Sequence, residues 1–351
     1  MSKRTMKYGT SRPARSAAFL NAIPVGRAGA PRRSVCAVSR TIRGGGLEAR
    51  LPESVRSTSM TLGLELGDGQ PLRAGRLVKR YKRFLADVVF DDDEEQEQVT
   101  VHTANPGRMN GYSDPGTRVF CSKAKSKARK LAYTWDIAEL ADGARVGVNT
   151  HLANKLVELA LRSAAIPSLQ AYKFLKREHV VTHRKHTGRI DFLLERCASG
   201  QSEQEEQQAD EQMLVEVKSV TMASEKTPGL ALFPDAVSVR AKDHLELLAS
   251  CVRDKKYSEA ALLFCVQRSD AVAVAPAWDI DPNFCRALKA AVEQAGVQVF
   301  AVQALPERDK LVLGKMLPFY MDEPAFVAAA SAAVPKRSRT RKPSTSLTAI
   351  D

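Results

Sequence analysis

The chain has 351 residues, 44% of them hydrophobic, enough for one large or two medium domains with buried cores. Its six cysteines (36, 121, 197, 251, 265 and 285) contain no C-x-x-C pair and so imply neither a zinc site nor a disulfide framework, and no apolar run approaches the ~18 to 20 residues of a bilayer-spanning helix. The net charge of +13 lies in the termini, because residues 61–334 carry 36 Lys or Arg against 37 Asp or Glu, so global charge is no argument for nucleic-acid binding.

Residues 1–60 carry 12 Lys or Arg against 2 acids, are rich in Ser, Ala and Gly, and contain Arg43-Gly44-Gly45-Gly46. That composition reads as an organellar transit peptide rather than a secretory signal, which needs a continuous apolar segment. A plastid destination is preferred to a mitochondrial one, and a cytoplasmic or nuclear place follows if the segment has another role. Val35-Cys36-Ala37 marks a candidate processing neighbourhood.

Short strand-like runs then dominate residues 61–148. Leu77 to Phe90 reads as one strand, with Phe84, Ala86, Val88 and Phe90 on one face and Lys79, Tyr81 and Arg83 on the other. An acidic turn from Asp91 to Glu97 precedes Val99–His102, and turns at Asn105-Pro106-Gly107 and Asp114-Pro115-Gly116 lead into Arg118–Cys121. Punctuation this dense predicts a small β-barrel or sandwich, and the mixed aromatic and basic strand face is one that a single-strand-binding OB barrel would present. The plainer alternative is an ordinary exposed strand face. Candidate phosphate contacts are Lys79, Arg80, Lys82 and Arg83, with Tyr81 for stacking, and Lys127, Arg129 and Lys130 in the next basic cluster.

From residue 149 to about 320 the pattern becomes α-β-β-β-α-β, an α/β architecture with a mixed sheet. Asn149 or Thr150 caps a helix with Leu152, Leu156, Leu159 and Ala160 on its apolar stripe. Strands follow at 172–181, 189–195 and 213–220, then a helix to about Cys251 for which Asp235 is a cap or, equally, a site residue, a buried strand at 260–266, a helix at 282–294 and a strand at 297–300. Residues 321–351, with Lys336 to Lys342, read as a basic disordered tail.

Two of these strands carry charge where apolar residues are expected. Arg189-Ile190-Asp191-Phe192-Leu193-Leu194 and Met213-Leu214-Val215-Glu216-Val217-Lys218 place an Asp and a Glu-x-Lys on consecutive central strands, where an uncompensated charge is expensive. Two carboxylates and an ammonium are what a Mg²⁺-dependent phosphodiester hydrolase needs: the carboxylates hold the cation, and the Lys orients a water or offsets phosphate charge. A semi-buried ion cluster is the alternative. His179, His183 and His186 read as a basic hairpin turn rather than a metal site, with Arg184 and Lys185 as phosphate contacts.

The ordered motifs Arg76-Leu-Val-Lys-Arg-Tyr-Lys-Arg-Phe-Leu-Ala-Asp87, Tyr133-Thr134-Trp135, Val148-Asn149-Thr150, Arg189-Ile-Asp-Phe-Leu193, Val215-Glu-Val-Lys-Ser-Val-Thr221, Phe233-Pro-Asp-Ala-Val237 and Gln267-Arg-Ser-Asp270 resemble the sugar fermentation stimulation protein family, SfsA, over roughly residues 73–318. The resemblance implies an OB-type barrel joined to a PD-(D/E)xK nuclease-like domain of α-β-β-β-α-β order, and DNA binding. It makes Asp191 and Glu216 the metal ligands and Lys218 the catalytic lysine, with Glu158 a further acid and Gln267 a polar contact. The expected function is largely sequence-nonspecific DNA binding with a nuclease-like Mg²⁺ site. The alternatives are an active Mg²⁺-dependent DNA or RNA nuclease and a protein interaction module. The sequence departs from the family pattern at Pro106, Arg108, Val239 and Ala241, and it does not specify oligomeric state.

Overall fold

Apolar alternation builds a barrel first in a computed structural model of the chain, which describes residues 62–126, 128–197 and 211–333. The segment read as a transit peptide, the candidate contact Lys127 and residues 334–351 of the basic tail lie outside the described residues, whereas Glu323–Ala333, expected to be disordered with that tail, form a helix. A short strand β1 (Gly63–Glu65) precedes β2 (Arg73–Tyr81), β3 (Leu85–Phe90), β4 (Gln98–Thr103), β5 (Arg118–Lys123) and β6 (Tyr133–Glu139). Antiparallel pairs run β4-β3-β2-β5-β6, and parallel pairing of His102 with Thr134 and Thr103 with Trp135 closes the ring. This is a five-stranded closed barrel of OB order. Leu77, Val88, Phe90, Val101, Val119 and Trp135 fill it, and β7 (Arg145–Gly147) extends the sheet beyond β6.

The single strand expected over 77–90 is instead a hairpin. The chain reverses over Lys82, Arg83 and Phe84, with left-handed φ values of 48° at Lys82 and 63° at Arg83. Such turns are normally marked by Gly, Asn or Asp, so two basic residues hid it. Ala86, Val88 and Phe90 do face the core, whereas Phe84 sits in the turn and is 43% exposed.

The second body begins with α1 (His151–Arg162), β8 (Tyr172–His183), β9 (His186–Arg196) and β10 (Gln212–Val220). It continues with β11 (Met222–Ala223), β12 (Leu230–Phe233), α2 (Val239–Arg253), β13 (Glu259–Val266), β14 (Ala273–Pro276), α3 (Pro282–Ala295), β15 (Gln298–Pro306), β16 (Lys310–Met316) and α4 (Glu323–Ala333). The main sheet has the order β1-β16-β15-β13-β10-β9-β8, parallel between β10, β13 and β15 and antiparallel elsewhere. Although β1 precedes the barrel in sequence, it belongs to this sheet. Leu152, Leu156 and Val157 of α1 pack on one face against Phe192, Val215 and Leu263. Leu245 and Leu248 of α2 and Phe284 of α3 cover the other against Leu214, Leu262 and Phe264.

Specific polar contacts join barrel and sheet domain. The Thr150 N–H and Oγ1 both donate to the Ala104 carbonyl at 3.0 Å, so this hydroxyl ties α1 to the barrel instead of capping the helix. The buried Tyr112 hydroxyl donates to Thr221 Oγ1 at 2.7 Å and accepts from Asn105 Nδ2 at 3.3 Å. Ser238, not Asp235, caps α2, its side chain accepting from the Ala241 N–H at 3.2 Å. Asp235 instead lies against the Asn105–Met109 loop, faced by the amides of Met109 and Arg108, and a Cβ on Gly107 would stand 1.8 Å from its Oδ2. Gly107→Ala is therefore expected to destabilise the folded chain by about 1–3 kcal/mol, the usual cost of overpacking. Denaturant unfolding with an unchanged midpoint would show that the loop yields freely.

Candidate functional site

Where β9 and β10 part, the sheet places its charges. The two strands pair from Glu195 with Gln212 as far as Phe192 with Val215, and no further. Beyond that point Asp191 fills the gap: its Oδ2 accepts the Val217 N–H at 2.7 Å and its Oδ1 accepts from Asn154 Nδ2 of α1 at 2.7 Å. Strand alternation sends Val215 and Val217 to the α1 side and Glu216 and Lys218 to the α2 side. There the Glu216 Oε1 meets Lys218 Nζ at 2.5 Å and His244 Nδ1 of α2 at 2.6 Å. Glu216 is 3% exposed, and its Oε2 is buried with no hydrogen-bond partner.

The electrostatics follow from this crowding. Burial and then the nearby Glu216 charge push the Asp191 carboxyl up to about 6. Burial acts the same way on Glu216, but Lys218 and His244 outweigh it and hold that carboxyl below its ordinary value. A buried carboxylate oxygen without a donor is rare and costly, and here it stands beside a second carboxylate. Those are the donors of a hard-cation site. No group of three or more His, Cys, Asp or Glu side chains gathers among the described residues. Two carboxylates, with water completing the shell, fit Mg²⁺.

These groups open into a cavity of about 610 Å³ whose wall includes Asn154, Asp191, Glu216, Lys218, Arg83 and Arg240. Of the other candidate site residues, Glu158 is not on that wall, because its carboxylate is held by Arg162 at 2.9 Å and Arg177 at 3.2 Å. Asn154, one helical turn earlier, reaches Asp191 in its place. Gln267 packs on Gly147 at the domain joint, donating to Ser219 Oγ at 2.8 Å, with its Oε1 buried and unpartnered. Sequence reasoning missed His244 and Asn154, whose only signal was a polar residue interrupting an apolar helix.

The expected basic face is largely committed to the fold. Arg80 donates to the carbonyls of Arg83 at 2.7 Å and of Asn105 and Gly107 at 2.9 Å, so its guanidinium is structural. The Tyr81 hydroxyl donates to Asp87 at 2.9 Å, and Lys79 lies 3.6 Å from the same carboxylate. Arg83 lines the carboxylate cavity and Arg129 a neighbouring one, while Lys82 and Lys130 are exposed. Arg184 is held by Asp254 through two 2.7 Å bonds, and Lys185 is exposed at the same hairpin tip, about 20 Å along β9 from Asp191. His183 meets Asp254 at 2.6 Å and His179 meets Tyr257 at 2.8 Å, so these histidines do not converge.

A closed OB barrel joined to a mixed-sheet domain with Asp, Glu and Lys at a strand split defines a two-domain protein of nuclease-like build. Residues 78–148 match the SfsA N-terminal OB domain, and residues 151–310 match the sugar fermentation stimulation protein RE domain. The sugar fermentation stimulation protein homolog of Alkalilimnicola ehrlichii is 41% identical over 250 residues, covering 71% of this chain and 97% of the relative. That of Halorhodospira halophila is 43% identical over 256 residues, covering 73% and 98%. A solved structure of Pyrococcus furiosus SfsA in complex with Ca²⁺ superposes with a TM-score of 0.61 at 25% identity, covering 75% of this chain and all of that one. The chain belongs to the sugar fermentation stimulation protein family.

Folding raises the Asp191 pKa from an ordinary 3.8 to about 6, so at this group the metal-free fold is most favoured below about pH 4 and loses stability as the pH climbs through 6. The loss is on the order of 2–3 kcal/mol at pH 8. In EDTA at pH 8, Asp191→Asn is expected to melt above the wild type. Added Mg²⁺ is expected to raise the Tm of the wild type and leave that of the variant unmoved. A variant that melts lower and still responds to Mg²⁺ would refute the site.

Proposed function

We propose that the protein binds nucleic acid, DNA first and RNA as the alternative, and holds a divalent cation, Mg²⁺ in the cell, at Asp191 and Glu216. One observation carries this reading: a buried, unpartnered Glu216 oxygen beside a second carboxylate, in a cavity that also presents Lys218, Arg83 and Arg240. The Ca²⁺ in the Pyrococcus furiosus relative supports it, since Ca²⁺ and Mg²⁺ both take oxygen ligands. A bound Mg²⁺ would supply a Lewis acid for a phosphoryl oxygen and a water of lowered pKa. The chain's own residues hold and orient: Asn154 and the Val217 N–H fix Asp191, and His244 and Lys218 fix Glu216. Arg83 and Arg240 stand where a phosphate would need cations, and such contacts give affinity with little sequence choice.

Phosphodiester hydrolysis is the second reading, and Lys218 favours it. Its ammonium sits on the Glu216 carboxylate at the cavity wall, where it can offset charge developing on a phosphate. Purified full-length protein incubated with labelled single- and double-stranded DNA and RNA, in Mg²⁺ or EDTA, decides between the two. Cleavage in Mg²⁺ that falls at least a hundredfold in Lys218→Ala establishes hydrolysis. Binding with no cleavage under any condition leaves a binding protein, and absence of binding to all four substrates overturns both readings.

A further inference from the structure

A second cavity of about 480 Å³ opens beside the carboxylate site, between the barrel and α1. Its wall carries His102 from β4, Arg129 from the β5–β6 loop, His151, Asn154 and Lys155 from α1, and Arg177 from β8. The one carboxylate among its lining residues, Glu178, is engaged by Arg189 at 3.4 Å. Arg177 is engaged by Glu158, but among the described residues neither Arg129 nor Lys155 has an ion-pair partner. Basic side chains therefore outnumber carboxylates on this wall, where the buried Asp136 carboxylate lies within electrostatic reach of Arg129.

Three features tie this cavity to the first. Thr150 and Asn154 line both, so the two adjoin at the start of α1. His151, Asn154 and Lys155 are spaced i, i+3 and i+4, which puts them on one helix face, and Asn154 on that face bonds Asp191. The barrel loops that OB folds use for oligonucleotides, first-to-second strand and fourth-to-fifth strand, are here Lys82–Phe84 and Ala124–Ala132. Arg83 on the first lines the carboxylate cavity and Arg129 on the second lines the cationic one.

We propose that the cationic cavity is a phosphate subsite for a single nucleic-acid strand whose neighbouring phosphate lies at Asp191 and Glu216, so that barrel and sheet domain hold one continuous backbone between them. This rests on reading the carboxylate site as a nucleic-acid site. The size of the cavity suits a nucleotide unit rather than a duplex. No Phe, Tyr or Trp lines it, so it grips phosphate and leaves the bases unread. The His102 imidazole supports an anionic occupant: burial, and then the charges of Arg129 and His151, push its pKa below the ordinary value, a repulsion that a bound phosphate would relieve.

The test is fluorescence anisotropy of the full-length protein with a labelled 12-nucleotide oligothymidylate and a matching duplex, in EDTA and in Ca²⁺, over a range of salt. Arg129 and Lys155 are exposed, so removing them spares the core. The double variant Arg129→Ala/Lys155→Ala is expected to bind the oligothymidylate at least tenfold more weakly, with the slope of log K against log salt shallower by about 1.4, the value for two lost contacts to a single strand. Lys155→Arg is expected to keep the affinity. Asp191→Asn is expected to lose the response to Ca²⁺, whereas the weakening in Arg129→Ala/Lys155→Ala is expected in EDTA as much as in Ca²⁺, which separates the cation reading from the subsite. Unchanged affinity and slope in the double variant would overturn the subsite, as would a wild type that prefers the duplex. A wild type that binds neither probe overturns the subsite together with the reading beneath it.

Discussion

Two carboxylates are forced together at the place where a β-sheet comes apart, and much of the sheet domain is arranged around that strain. The β9–β10 ladder stops at Phe192 and Val215, freeing the Val217 N–H. A backbone donor left bare in the interior is expensive, and Asp191 satisfies it with a side-chain oxygen in place of a carbonyl. That substitution brings a negative charge within reach of Glu216, which strand alternation has turned toward α2. Lys218, His244 and Asn154 each neutralise or orient part of the cluster, and one oxygen, Glu216 Oε2, is left over. The leftover is the physical argument for a cation.

The barrel completes this arrangement by docking its loops where the split opens. Arg80, which composition offers as a phosphate contact, gathers the carbonyls of Arg83, Asn105 and Gly107 and so shapes the loop that meets Asp235. Tyr112 and Thr221 pin the other side of the joint through a buried hydroxyl pair. With these contacts made, Arg83 and Arg129 project from separate barrel loops toward adjoining cavities. Arg80 is thus consumed in building the joint, and Arg83 and Arg129 are left at its mouth.

Much of this was legible in the sequence, for definite reasons. Glu216 and Lys218 alternate with buried valines, which places two charges in a core register, and the ordered family motifs on both sides strengthened a pattern that is weak by itself. The helices α1 and α3 and the strands β8, β9, β10 and β13 follow plain periodicity and lie within a few residues of their expected spans, whereas β15 runs six residues past its expected end and β11, β12, β14, β16 and α4 were not expected. The barrel hairpin was not legible, because Lys82 and Arg83 adopt left-handed φ without the Gly or Asn that marks such turns. Tertiary partners were harder still. Nothing local shows that Arg177 joins Arg162, the i,i+4 neighbour of Glu158, in taking up that carboxylate, that Asp254 takes up Arg184, or that His244 reaches Glu216 from a helix 28 residues further on.

The central claim is that Asp191 and Glu216 share a divalent cation, and its most direct measurement is anomalous diffraction from crystals of the full-length protein grown with Mn²⁺, a redox-quiet substitute that takes the same oxygen ligands as Mg²⁺. The account expects a strong anomalous peak at ligand distance from Asp191 and from Glu216 Oε2, absent from crystals of Glu216→Gln. A Mn²⁺ peak elsewhere with the Glu216 oxygen still bare, or the same peak persisting in the variant, would contradict it.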